Sequence, residues 1–121
     1  MPSPITLVLG ASANPDRYAY RAIRMLRQQG YPVVAVGNSA GMVDDITITT
    51  QLTDTIQPDT ITLYLNTEHQ KLYYDSILKL KPRRVLFNPG AENPEFENLL
   101  KQNNIEPIEA CTLVLLSTHQ Y

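Results

Sequence analysis

Short apolar runs alternate along the chain with longer stretches in which apolar positions recur at helical spacing. Ile5-Thr6-Leu7-Val8-Leu9 ends at Gly10 and reads as a strand covered on both faces, the pattern of a parallel sheet. Four further runs repeat it: Pro32-Val33-Val34-Ala35-Val36, Thr60-Ile61-Thr62-Leu63-Tyr64-Leu65, Val85-Leu86-Phe87, and Ile105 to Glu109. Tyr20, Ile23, Met25 and Leu26 predict a helix whose periodicity runs from Arg17 to Gln29. It is entered through Asn14 as N-cap and Pro15 as first helical residue, and stopped at Gly30. Asn38 to Asp45 reads as turn, Ile46-Thr47-Ile48 as a short extended piece, and Leu52 to Ile56 as a short helix. Thr67 is positioned to cap a helix from Glu68 to Leu80, with Leu72, Tyr73, Ile77 and Leu80 inward. Pro94 to Asn103 predicts another helix with Phe96, Leu99 and Leu100 inward, and Cys111 to Leu116 a closing helix or strand.

This alternation predicts an α/β, three-layer, doubly wound fold with about five parallel strands in the order 3-2-1-4-5. In that order the Thr60–Leu65 run is the third strand. At 121 residues and 13.6 kDa the chain is expected to be one domain over residues 1–121. The net charge of -2 argues against a nucleic-acid binder. Cys111 is the single cysteine, so no internal disulfide forms, as expected in a cytoplasmic protein. No apolar run approaches the roughly 20 residues of a membrane span. Met1-Pro2-Ser3-Pro4 lacks the features of a signal peptide and reads as a short ordered lead-in.

Doubly wound sheets bind ligands beyond the carboxyl ends of their strands. That places the candidate chemistry in four loops: Gly10 to Tyr18, Gly37 to Gly41, Asn66 to His69, and Asn88 to Asn93. The dinucleotide fingerprint G-x-G-x-x-G is met only at its first position, since Ser12 and Pro15 replace the later glycines. Gly10 and small Ala11, Ser12 and Ala13 still let backbone N–H groups approach a phosphate, and Arg17 and Arg21 add charge nearby. The alternative is a plain strand–helix turn. After the second strand, Gly37-Asn38-Ser39-Ala40 carries no acid of the kind that holds an NAD ribose, which disfavours NAD; a solvated turn is the other reading.

The remaining reactive residues have structural explanations. Cys111 lies among Ala110 and Leu113 and reads as a core thiol. His69 reads as a solvated helix-start residue beside the third loop and His119 as a tail residue, and neither has a metal partner at suitable spacing. Glu92, Glu95 and Glu97 complement a helix N-terminus. Lys79, Lys81, Arg83 and Arg84 read as a solvated helix end and turn.

Four segments carry a family resemblance when taken in order. They are Val8-Leu9-Gly10-Ala11-Ser12-Ala13-Asn14-Pro15-Asp16-Arg17 with Tyr20-Arg21, then Gly30 to Val36 with Asn38, then Phe87-Asn88-Pro89-Gly90-Ala91-Glu92-Asn93, and finally Glu109-Ala110-Cys111-Thr112. Together they resemble the small standalone CoA-binding proteins of bacteria. The Rossmann-like domain of those proteins is similar to the CoA-binding domain of the succinyl-CoA synthetase α subunit. The resemblance covers nearly the whole chain and implies coenzyme A, or an acyl-CoA, held across the strand ends without a metal. The diphosphate would lie on Gly10, Ala11, Ser12, Ala13, Asn14, Arg17 and Tyr18, with Arg21 in the following helix. The adenosine would lie near Gly37, Asn38 and Asn66, and the pantetheine arm would run toward Asn88, Pro89, Gly90 and Ala91. Basic residues usual in the family after strands two and three are replaced here by Ser39 and by Asn66-Thr67-Glu68. The expected function is a non-catalytic CoA-binding protein. The alternatives are a subunit of an acyl-CoA-handling enzyme or a binder of another nucleotide such as NAD. A small-molecule nucleotide is the expected partner, with a homo-oligomer or protein partner open.

Overall fold

The computed structural model describes residues 4–121; the expected lead-in of Met1, Pro2 and Ser3 lies outside them. The elements run β1 (Thr6–Leu9), α1 (Tyr18–Gln28), β2 (Val33–Val36), β3 (Gly41–Val43), β4 (Ile46–Thr49), β5 (Thr60–Leu63), α2 (Thr67–Gln70), a 3-10 turn (Lys71–Tyr73), α3 (Tyr74–Leu80), β6 (Arg84–Phe87), α4 (Pro94–Gln102), β7 (Glu106–Glu109) and α5 (Thr112–Ser117). Every residue of β1, β5 and β6 is buried, as in strands covered on both faces, and this includes Thr6, Thr60, Thr62 and Arg84, the last expected in a solvated turn. Among the described residues no helix is long and apolar enough to cross a membrane.

The sheet has seven strands in the order β3-β4-β2-β1-β5-β6-β7, all parallel to their neighbours except β3. The fold is the doubly wound, Rossmann-like α/β arrangement expected, but the strand count and order differ in detail. The third place, beside β2, goes to the extended piece Ile46–Thr49, and Thr60–Leu63 pairs with β1 on the other side. The cause is a hairpin. β3 and β4 join through the two-residue turn Asp44-Asp45, with Asp44 at φ 52°, and this hairpin replaces the crossover helix. Periodicity in a three-residue strand is too short to read, so Gly41–Val43 looked like turn. The expected helix at Leu52–Ile56 is absent; that segment is irregular, and Leu52 and Ile56 pack on the core.

Side-chain alternation divides the core between the two faces of the sheet. Leu7, Leu9, Ile61, Leu63, Val85 and Phe87 pack with Ile77, Phe96 and Leu100 of α3 and α4. Val8, Ala35 and Ile48 pack with Ala19, Ile23 and Leu26 of α1 and Leu116 of α5. The closing segment is thus a helix. Cys111, expected in the core, precedes it and is only half-buried.

Helix ends show which residues do the capping. Gly30, at φ 87°, ends α1 in a Schellman motif, with its N–H donating to Arg27 O and that of Tyr31 to Leu26 O. At the other end Asn14 does not cap. Its Oδ1 accepts from the Asp16 N–H and its carbonyl from Arg17, closing a turn that delays the helix to Tyr18. Asn93 caps α4 by accepting from the Phe96 N–H, with Pro94 following. Asn66, not Thr67, caps α2 through the His69 N–H. The helix expected from Glu68 to Leu80 is broken by the 3-10 turn, which rotates Leu72 outward to 76% exposure while Ile77 stays inside.

Candidate functional site

β1 lies between β2 and β5, so the loops that follow these strands splay apart at the point where strand order reverses. A cleft of about 460 Å³ opens there. Gly10 to Ala13 form one wall, with Arg17, Tyr18 and Ala19 at the start of α1. Asn38, Ser39 and Ala40 form the wall beyond β2, and Tyr64, Leu65, Asn66 and His69 the wall beyond β5.

Close backbone packing holds these walls. The Gly10 and Ala11 N–H groups both donate to Val36 O, at 2.9 and 3.0 Å, and the Gly37 N–H donates to Thr49 O at 2.9 Å. A Cβ on Gly10 would lie 2.5 Å from Tyr64 O. The loop after β1 is therefore clamped at its root to both neighbours. Beyond the root, the Ser12 and Ala13 N–H groups donate to no acceptor among the described residues, and Ser12 Oγ accepts from the Asn14 N–H. That leaves a short stretch of exposed donors beside Arg17, which makes no ion pair among the described residues. Among the described residues no acidic side chain lines the cleft, and Arg17 is its arginine.

Gly10, Ala11, Ser12, Ala13, Arg17, Tyr18, Asn38 and Asn66, expected to contact ligand, all line this one cleft. Gly37 is buried beneath it, and Asn14 is engaged in the turn before α1. Arg21 points elsewhere. Its guanidinium sits 5.6 Å from the Tyr18 ring centre and borders a second, shallower groove with Tyr20, Arg24 and Leu113. Asn88, Pro89, Gly90 and Ala91 do not line the cleft. Asn88 is a buried cross-brace: Nδ2 donates to Thr62 Oγ1 and Leu63 O, at 2.7 and 2.9 Å, and Oδ1 accepts from the Thr112 N–H at 2.8 Å. Pro89 and Gly90 are exposed, Ala91 is buried, and the Gly90 N–H donates to Glu92.

The cleft also takes in Tyr64 and Leu65, read from sequence as part of a strand. The strand stops at Leu63, and the polar Asn66 that follows was the only signal of that end. The Tyr64 hydroxyl is buried near Thr62 and Thr112 with no hydrogen-bond partner among the described residues, and burial pushes its pKa up to about 12. Gln70, also buried, donates to Leu65 O and Ala91 O and accepts from Asn93, so it ties the loops after β5 and β6 together. Among the described residues no three His, Cys, Asp or Glu side chains are grouped to hold a metal ion.

A family model for the CoA binding domain matches residues 5–117. No curated protein sequence matches the chain. Among solved structures, the crystal structure of an uncharacterized protein is 43% identical over 100% of both chains, with a TM-score of 0.94. The cell-free ID.343 protein from Thermus thermophilus is 27% identical, over 98% of this chain and 91% of that one, with a TM-score of 0.85. A hypothetical protein from Pyrococcus horikoshii OT3 shares the fold at 18% identity, over 93% of this chain and 81% of its own, with a TM-score of 0.84. With the family match running from the first strand to the last helix, the chain is a member of the CoA binding domain family.

Proposed function

We propose that this protein binds CoA, free or acylated, in the cleft beyond β1, β2 and β5, and that it does so as a non-catalytic module. The observation that carries the reading is the anion-favouring wall: unengaged Ser12 and Ala13 N–H groups beside the unpaired Arg17, with no acid in the lining. Preorganised donors and a guanidinium complement a diphosphate. The adenosine lies toward Asn38 and Asn66, and the pantetheine arm leaves toward the exposed Pro89-Gly90 turn. The non-catalytic part rests on the cleft's own side chains. Among the described residues Ser12 Oγ bonds the Asn14 N–H and not His69, the histidine in the lining, and burial pushes the pKa of the Tyr64 hydroxyl up to about 12.

Thermal denaturation with CoA, acetyl-CoA and NAD tests this. A ligand at 100 times its Kd stabilises by about 2.7 kcal/mol, a shift of several degrees. CoA and acetyl-CoA are expected to raise Tm and NAD to have little effect. No shift with either CoA species at millimolar concentration would overturn the proposal, and a larger shift with NAD would assign the cleft to that nucleotide. Turnover of acetyl-CoA by the isolated chain would overturn the non-catalytic part alone.

A further inference from the structure

Among the described residues, the cleft wall beyond β2 carries no charged side chain. In doubly wound folds the loop after the second strand faces the ribose, and an acid or a cation there decides which ribose is accepted. Here that loop offers Asn38, Ser39 and Ala40, all exposed and all neutral. Arg24 and Arg27, toward the far end of α1, lie away from the cleft. Arg27 makes a bidentate pair with Asp45 at 3.0 and 2.8 Å, and Arg24 pairs with Asp44 at 3.4 Å, on a turn at the amino ends of the strands. Arg21 lies over Tyr18, outside the cleft. Arg17 remains as the one arginine or lysine in the lining, on the wall assigned above to the diphosphate.

Resting on the CoA reading, we infer that the cleft is charge-matched to the diphosphate alone and not to a phosphorylated ribose, so that dephospho-CoA is as good a ligand as CoA. A 3′-phosphate on the ribose meets no cation on the β2 side and stays in solvent. It neither gains a charge-assisted hydrogen bond nor meets an acid that would reject it. The ligand class is an adenosine diphosphate carrying a pantetheine arm, with the ribose phosphate optional.

Isothermal titration of the full chain with CoA and with dephospho-CoA tests this, at 50 and at 150 mM salt, where the Debye length is about 14 and about 8 Å. The two dissociation constants are expected to lie within about threefold of each other, since an unpaired exposed phosphate contributes little. CoA binding about tenfold or more tighter than dephospho-CoA, the effect of one charge-assisted contact, would overturn the inference. Ser39→Lys supplies the missing cation on an exposed loop residue. It is expected to tighten CoA by about threefold to tenfold and to leave dephospho-CoA nearly unchanged. Equal tightening of both ligands, or of neither, would show that this loop does not face the ribose and would also overturn the inference. Binding of neither ligand by the wild type is a different failure, because it removes the CoA reading itself.

Discussion

Gly37 sits so close to Ala11 that a Cβ built on it would lie 2.1 Å from the Ala11 carbonyl oxygen. The two loops that face each other across the cleft floor are therefore in backbone contact. Gly37→Ala forces them apart, and neither partner is a side chain that swings away. The expected cost is about 2–3 kcal/mol, in the range of overpacked core sites. Urea denaturation should show a lower midpoint, and CoA affinity measured at a permissive temperature should fall as well. An unchanged midpoint would mean that the loops separate freely.

Asn88 and Tyr64 make a contrasting pair of buried polar residues. Asn88→Ala leaves the Thr112 N–H without its acceptor and Leu63 O without that donor, and is expected to cost about 2–3 kcal/mol. Tyr64→Phe removes a hydroxyl that has no partner, so stability is expected to stay within about 0.5 kcal/mol or to rise. Tm measured on the two variants side by side checks both. In the wild type, tyrosinate absorbance should include the Tyr64 phenol ionising only near pH 12, and burial raises Tyr121 as well.

Arg17 is exposed, makes no ion pair among the described residues and lies on the cleft wall, so its removal separates binding from folding. Arg17→Gln is expected to weaken CoA about tenfold, the worth of one charge-assisted contact to a phosphate, with Tm of the free protein unchanged. Calorimetric titration reads the first and thermal denaturation the second. Retention of full affinity would move the diphosphate off this wall.

Two carboxylates predict opposite pH behaviour. Two hydrogen bonds from Arg83, and a further one from the Thr60 hydroxyl, hold Asp59 below the usual carboxylate range. Its folded pKa is lowered, so its contribution is present above the unfolded value near 3.9 and is lost as pH falls through the folded one. Asp59→Asn is expected to lower Tm at pH 7, with the difference shrinking below about pH 4. Glu109 is the reverse case, since the neighbouring carboxylates of Glu97 and then Glu92 raise its pKa. Its penalty is absent at low pH and grows as pH rises through the carboxylate range. Glu109→Gln should raise Tm at pH 7 and leave it unchanged at pH 3. Tm profiles between pH 3 and 7 distinguish the two signs.

Much of the site was legible because it depends on local pattern. The apolar runs at Ile5–Leu9 and Pro32–Val36, each ended by glycine, place the loops at Gly10 and Gly37 at strand ends, and eight of the expected contact residues share one cleft. Gly30 and the Asn93-Pro94 pair announce helix ends through backbone geometry that few other residues support. Asn88 shows where such reading stops. Its position after a strand marks it as a loop residue, but its amide is spent on Thr62, Leu63 and Thr112, which lie 24 to 26 residues away in the chain. Leu72 fails similarly, because the 3-10 turn changes the period in the middle of a helical pattern.

By itself, then, the sequence determined the alternation of strand and helix, the two-sided burial of the central strands and the small residues of the first loop. Each of these follows from neighbours in the chain and from steric rules acting within a few residues. Tertiary structure alone decided which strand stands beside β2, that Asp44 and Asp45 silence Arg24 and Arg27, and that Arg17 is left as the cleft's free arginine. Those outcomes depend on pairing between residues far apart in sequence. A hairpin of seven strand residues settles the first two only when it docks against β2 and brings its acids toward the far end of α1.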